Sequence, residues 1–135
     1  MSISFDRNRT QVSFERFIGL ASTEELLTKK ADFKSHCLSS AEVTQLHSDL
    51  MYDAVDFFYS GILSFSEGID SIFHKRFSWA TVKLYYSIFY LIRASLAANG
   101  FALLRCGNMY RLKNCVGEKP FSTNNKNIVL HMKEQ

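Results

Sequence analysis

The run from Phe77 to Gly100 constrains what this chain can fold into more than any other stretch. It contains no Pro and has a Gly only at its end, so it predicts one uninterrupted helix of about six turns. Apolar side chains occupy nearly every direction around that helix instead of forming one stripe. Such a helix is buried on most sides, in a core, an interface or a membrane. We therefore expect the rest of the molecule to be organised around it.

A membrane-spanning role fits this helix poorly, although its length would suffice. Lys83 and Arg93 lie well inside the run, and each would cost about 2.5–3.5 kcal/mol near the centre of a bilayer. Several polar residues make insertion less favourable still: Ser78, Thr81, Ser87, Ser95 and Asn99. We therefore expect the central helix of a soluble domain, without membrane contact.

The 135-residue length predicts a single domain, and the cysteines indicate its compartment. Cys37, Cys106 and Cys115 form an odd set without any C-x-x-C spacing, which favours a reducing environment over a disulfide framework. No secretory signal is visible at the N-terminus, so we expect a cytoplasmic protein. No zinc-module spacing or phosphate-binding loop is present in the sequence, and we predict neither a metal nor a cofactor.

Hydrophobic periodicity and helix-capping residues predict an all-α fold, an antiparallel helical bundle with an irregular C-terminal segment. The predicted divisions are an N-terminal arm with a short helix near 22–31 (1–38), a helical core (39–105) and a basic, loop-rich C-terminal segment (106–135). The last of these is expected to hold at most one short helix, near 108–114.

Two long antiparallel helices, near 40–73 and 77–98, are expected to form the core, the first of them bent near Gly61. The predicted packing residues are Leu50, Phe57, Tyr85, Phe89 and Ile92. Three aspartates, at 49, 53 and 56, share one side of the first helix. We interpret that side as a solvated face rather than as an acid/base set.

The last quarter of the chain is basic, with six Lys and Arg side chains against Glu118 and Glu134 between residues 101 and 135. Such a segment can be an electrostatic footprint for RNA, or simply a solvated tail. The candidate nucleic-acid-binding residues are Arg105, Arg111, Lys113, Lys119 and Lys126. We expect them to contact phosphates, because no aromatic base-reading motif accompanies them.

The core of the apolar helix, Leu84 to Leu96, resembles the second long helix of HEPN domains. The Tyr85-Tyr86 pair, the following aromatic residues and the Arg93-Ala94 step carry this resemblance. It implies a HEPN-like bundle that works as a homodimer, or as a hetero-oligomer with a partner from an anti-phage defence or toxin–antitoxin system. We expect Tyr85, Tyr86, Phe89 and Arg93 at the interface, because one helical partner cannot cover a helix that is apolar all round.

Catalytic HEPN proteins are metal-independent RNases that use an Arg, a polar residue and, four to six residues later, a His. The nearest match here is Lys126-Asn127 followed by His131. The resemblance implies that Lys126 would stabilise the charged phosphorane and His131 would transfer the proton. Lysine lacks the planar fork of arginine. The alternative is a non-catalytic protein–protein interaction or dimerisation module.

Overall fold

The computed structural model describes residues 8–19 and 28–122, which fall into two compact units. One unit comprises the described residues up to Leu50 together with those from Gly100 onward, and we call it the sheet unit. The other spans Met51 to Asn99, and we call it the helical hairpin. Each unit is described separately below.

Four helices are present in the described residues: α1 (Arg9–Phe17), α2 (Lys30–Ser35), α3 (Ser40–Phe73) and α4 (Phe77–Ala98). The two long predicted helices are confirmed, and α3 continues as a helix through Gly61. Most of the short helix predicted near 22–31 cannot be compared; at its C-terminal end, residues 28 and 29 form a turn and α2 begins at Lys30. Residues 20–27 lie outside the described part of the chain.

Three antiparallel strands follow α4: β1 (Phe101–Cys106), β2 (Asn108–Lys113) and β3 (Phe121–Ser122), in the order β1-β2-β3. The all-α prediction with an irregular C-terminal segment is therefore wrong, and so is the short helix near 108–114. The reason is that buried and more exposed side chains alternate along this segment with a period of two. Ala102, Leu104 and Cys106 are buried on β1, and Tyr110 and Leu112 are buried on β2. Alternation of this kind is typical of a strand with one covered face.

The core of the sheet unit lies on this inner face of the sheet. The ring of Phe33 is 5.0 Å from that of Phe14 on α1 and 5.2 Å from that of Tyr110 on β2, centroid to centroid, with both pairs edge to face. Aromatic pairs prefer such T-shaped geometry. Buried leucines complete this core: Leu38, Leu46, Leu50, Leu104 and Leu112. Each contributes about 1.5–3 kcal/mol through burial.

A reciprocal capping box begins α3. The backbone N–H of Glu42 donates to Ser39 Oγ over 3.3 Å, and the N–H of Ser39 donates to Glu42 Oε1 over 2.9 Å. Two backbone donors that a helix leaves unsatisfied are thereby paired. Glu42 Oε2 also lies 2.9 Å from Nε2 of His36.

Small residues form the contact between the two helices of the helical hairpin. Gly61 and Gly68 are seven residues apart on α3, and Ala80, Ser87 and Ala94 repeat at the same interval on α4. All five are buried. Ser87 Oγ donates to the carbonyl oxygen of Gly61 over 2.8 Å, and a Cβ on Gly61 would lie 2.8 Å from the Leu91 side chain. The helices therefore approach closely along this small-residue seam.

The predicted packing residues have different outcomes: Leu50 is buried and Phe57 and Ile92 are half-buried, but Tyr85 and Phe89 are exposed. Tyr85 is 67 % exposed and Phe89 is 42 % exposed, so neither fills the space between the helices. A seam of small residues brings the two backbones together and leaves large side chains on the outside. Phe57 is the exception among the aromatic residues named, since it is half-buried and stacks on Tyr90.

The aspartates of α3 also depart from prediction. Asp56 is exposed, but Asp49 and Asp53 are buried, so the expected solvated face is wrong at two of its three positions. Asp49 accepts a hydrogen bond from Ser13 Oγ of α1. A buried carboxylate is tolerated where hydrogen bonds replace its water.

Candidate functional site: two interaction surfaces

The helical hairpin carries nearly all of the exposed large apolar side chains found in the described residues. The exceptions are Val116 and Phe121, both in the sheet unit. Exposure on the hairpin runs from 36 % at Met51 to 80 % at Phe73. Monomeric proteins rarely leave contiguous apolar patches larger than a few hundred Å². The outer surface of this hairpin is therefore a candidate protein-binding surface.

Exposed apolar residues follow the helical repeat on both helices. On α3 they include Val55, Phe58, Tyr59 and Ile62, and on α4 Val82, Tyr85, Tyr86 and Phe89. Both sets have the spacing i, i+3, i+4, i+7, which places their members on one side of a helix. We call these two sets the apolar stripes. Each helix thus has a small-residue side, which contacts its partner in the hairpin, and an apolar stripe that nothing in the hairpin covers.

The predicted interface residues divide between the surface and the interior of the hairpin. Tyr85, Tyr86 and Phe89 all belong to the α4 stripe and are at least 42 % exposed. Arg93 is only 7 % exposed, and its guanidinium carbon lies 4.5 Å from the ring centroid of Phe57 and 5.6 Å from that of Phe89. Cations over aromatic faces are attracted by the ring quadrupole. Arg93 thus supports the surface aromatic residues from inside.

The second surface is the outer face of the three-stranded sheet. Residues directly opposite each other in antiparallel strands point to the same side, and the register pairs Leu103 with Arg111, Phe101 with Lys113 and Arg111 with Phe121. Arg105 alternates with its buried neighbours and shares this side. Three of the five predicted nucleic-acid-binding residues, Arg105, Arg111 and Lys113, therefore lie on one face.

Two phenylalanines lie beside these basic residues on the outer face of the sheet. The guanidinium carbon of Arg111 lies 5.9 Å from the ring centroid of Phe101 and 5.8 Å from that of Phe121. Phe121 is 60 % exposed, and Phe101 is partly exposed. Sequence reasoning missed both rings because it assigned this segment to a loop. The alternation on either side of Gly107 was the signal that could have placed them.

The remaining predicted site residues are less informative. Lys119 is exposed in the loop before β3. Lys126, Asn127 and His131, the candidate catalytic set, lie outside the described residues. Across residues 8–19 and 28–122, no three His, Cys, Asp or Glu side chains converge in a way that could hold a metal ion. The helices of the same ranges include none with the length and apolar character needed to cross a membrane.

Comparisons with known proteins found no match for this chain. No protein-family model matches it, and no match was found among curated proteins or among solved structures.

Proposed function

We propose that this protein is a non-catalytic interaction module that dimerises through its helical hairpin. The observation that carries the proposal is the pair of apolar stripes on α3 and α4. Tyr59 and Tyr85 illustrate their exposure, at 68 % and 67 %. Burying such side chains against a partner provides the main driving force of protein association.

The exposed apolar area is large enough for a stable dimer. Aromatic side chains bury about 150–250 Å² each, so side chains exposed by 36–80 % leave on the order of 1,500 Å² on this hairpin. A standard interface buries about 800 Å² on each partner. The hairpin therefore presents more apolar surface than one such interface needs.

A second copy of the chain is the partner that suits this surface best. Two hairpins that pack their apolar stripes together make a four-helix bundle, in which each helix has one neighbour within its chain and others across the interface. The small-residue seam supports this arrangement, because it satisfies contacts within each hairpin without using the large side chains. The resemblance of α4 to HEPN domains, which commonly dimerise, agrees with it.

Light scattering coupled to size exclusion tests the proposal directly. The wild-type chain should run as a dimer at tens of micromolar, and a Tyr59→Glu/Tyr85→Glu variant should run as a monomer. Both tyrosines are mostly exposed within one chain, so the substitutions should leave its helical circular dichroism unchanged. Ser48→Glu is the matched control, since it adds a charge at an exposed position of α3 outside the hairpin.

Two results would count against this function. A wild-type chain that is monomeric at these concentrations in the absence of any other protein would exclude self-association. Robust RNA cleavage that disappears in a Lys126→Ala/His131→Ala variant would show that the protein is an RNase and not a non-catalytic module. Dimerisation without such cleavage is the expected outcome.

A further inference from the structure

We propose that the outer face of the three-stranded sheet binds single-stranded nucleic acid. The face combines three cations, Arg105, Arg111 and Lys113, with the rings of Phe101 and Phe121. Its register places Arg111 at the centre, opposite Leu103 on β1 and Phe121 on β3. This site goes beyond dimerisation and uses none of the residues of the apolar stripes.

Charge complementarity is the first argument for a nucleic-acid ligand. The strands and the turn between β1 and β2, residues 101–113 and 121–122, contain no Asp or Glu. The cations of this face are therefore not interrupted by acidic side chains from the strands that form it. Basic side chains that neutralise phosphates release condensed counterions, which is the main source of affinity in non-specific nucleic-acid binding.

The aromatic rings select a ligand that has bases as well as charge. Proteins that bind single strands pair a positively charged surface with aromatic side chains on which unstacked bases lie. Phe121 is the more exposed of the two rings, and Arg111 lies within 6 Å of both ring centroids. Arginine beside a ring adds a planar cation on which a base can also stack.

A single strand fits this face better than a duplex. The bases of a duplex are stacked on each other and offer only their edges, which proteins usually read with a helix or β-ribbon placed in a groove. The sheet instead presents side chains from three adjacent strands, about 4.8 Å apart. Splayed bases can reach Phe101 and Phe121 on such a surface while the backbone passes over Arg105 and Lys113.

Fluorescence anisotropy with a labelled oligouridylate of about 12 nucleotides tests the site. The wild-type chain should bind at low salt, and its affinity should fall between about 50 and 200 mM salt. The logarithm of the binding constant should decrease with the logarithm of the salt concentration, with a slope of about −0.7 per phosphate contact. Arg111→Gln/Lys113→Gln should weaken binding and reduce that slope. Arg16→Gln/Lys34→Gln is the matched control, since it removes two exposed cations from α1 and α2 in the same unit.

A second variant separates base stacking from charge. Phe121→Leu keeps the apolar volume but removes the ring, and should weaken oligouridylate binding by about tenfold. It should leave the binding of heparin, a polyanion without bases, unchanged. Circular dichroism and light scattering on the same samples report folding and dimerisation independently of nucleic-acid binding.

Three outcomes would overturn this site. The first is absence of oligouridylate binding by the folded wild-type chain at low salt. The second is an equal loss of affinity in the outer-face and control variants, which would show that binding depends on the net charge of the protein and not on this face. The third is binding of anionic phosphatidylserine vesicles as tight as that of oligouridylate, together with no effect of Phe121→Leu on either. That result would make the surface a membrane contact.

Discussion

The side-chain amide of Gln11 on α1 pairs with both backbone groups of Arg105 on β1. Gln11 Oε1 accepts from the Arg105 N–H over 2.8 Å, and Gln11 Nε2 donates to the Arg105 carbonyl oxygen over 3.0 Å. In the sheet that the described residues form, β1 is an edge strand, and the outer backbone groups of an edge strand have no partners within the sheet. Gln11 is only 2 % exposed, so it occupies the place that a fourth strand would take at this residue.

Replacing this amide should therefore destabilise the sheet unit. Gln11→Met keeps the length of the side chain but leaves the N–H and C=O of Arg105 without these partners. We expect the free energy of unfolding to fall by about 1–3 kcal/mol, measured by urea denaturation. Gln45→Met is the control, because that amide contacts the Asp49 side chain at 3.3 and 3.4 Å and does not pair with the backbone of β1. Equal losses in the two variants would contradict the role given to Gln11.

The small-residue seam of the helical hairpin makes a second prediction. A Cβ on Gly61 would lie 2.8 Å from two atoms of the Leu91 side chain. Replacing a Gly inside a helix ordinarily stabilises the helix, because Gly is about 1 kcal/mol less favourable there than Ala. At this position we expect overpacking to outweigh that gain, so Gly61→Val should lower the free energy of unfolding by about 1–3 kcal/mol. Ser66→Ala, at an exposed position of the same helix, should change it by less than about 0.5 kcal/mol.

A double-mutant cycle separates this clash from a general intolerance of substitution at Gly61. Leu91→Ala removes the side-chain atoms that a new Cβ would meet. The loss in Gly61→Val/Leu91→Ala should therefore be smaller than the sum of the two single losses. Simple additivity of the losses would show that Gly61 and Leu91 are not in the close contact described.

The capping box of α3 predicts a dependence of stability on pH. Burial alone would raise the pKa of Glu42, but hydrogen bonds from the Ser39 N–H and with the His36 ring together hold it below its ordinary value of 4.5. A carboxylate whose pKa is lowered on folding stabilises the protein above its unfolded pKa. This contribution is lost as the pH falls through the folded pKa.

Glu42→Gln can keep the capping hydrogen bond but lacks the charge, so it should be less stable than wild type at pH 7 by about 0.3–1 kcal/mol. The difference in the free energy of unfolding should shrink once the pH falls below 4.5 and Glu42 of the wild type becomes protonated. Urea denaturation across this range measures it. Glu118→Gln, at an exposed loop position, should show no comparable change. A difference independent of pH would contradict the lowered pKa.

Local signals explain which elements the sequence predicts well. The Ser39–Glu42 capping box marks the start of α3, and Asn99-Gly100 marks the end of α4, where Gly100 adopts a φ of +82°. Both signals depend on neighbouring residues alone. Long apolar stretches between such signals leave little doubt about a helix.

The sheet and the seam depend on information that is not local. β1 and β2 are six residues each. In the sequence, Arg105, Arg111 and Lys113 indicate a charged loop, and only the pairing of the two strands brings them onto one face. The hairpin seam is likewise decided by how closely Gly61 and Ser87 approach. An apolar stretch predicts a helix that is covered on most sides, but in α4 only the small-residue side faces α3, and large side chains such as Tyr85 stay exposed.

The turn between α3 and α4 contains a residue in the left-handed region. Lys75 has a φ of 57°, and the next N–H, of Arg76, donates to the carbonyl oxygen of Ser71 over 2.8 Å. Glycine is the residue that helices favour at this position. Lys75→Gly should raise the free energy of unfolding by about 1 kcal/mol. Lys75→Ala, which keeps a Cβ, should not, and equal gains in thermal stability would contradict this explanation.

Thiol labelling provides a test of the corrected C-terminal fold. Cys106 is the last residue of β1 and is fully buried on the inner face of the sheet, whereas Cys37 and Cys115 are exposed. Burial raises the pKa of the Cys106 thiol, although Lys30 and Lys34 oppose this effect. A buried thiol with a raised pKa has little thiolate and little access to reagent.

In a Cys37→Ser/Cys115→Ser variant, the single remaining thiol should therefore react with a disulfide reagent much more slowly than either exposed cysteine. Urea should restore the fast rate, because unfolding exposes Cys106. A Gln11→Met substitution in the same background should accelerate labelling under native conditions, since it weakens the edge of β1 one residue away, at Arg105. Fast labelling of Cys106 in the folded variant would place it in the irregular, solvated segment that the sequence alone predicted.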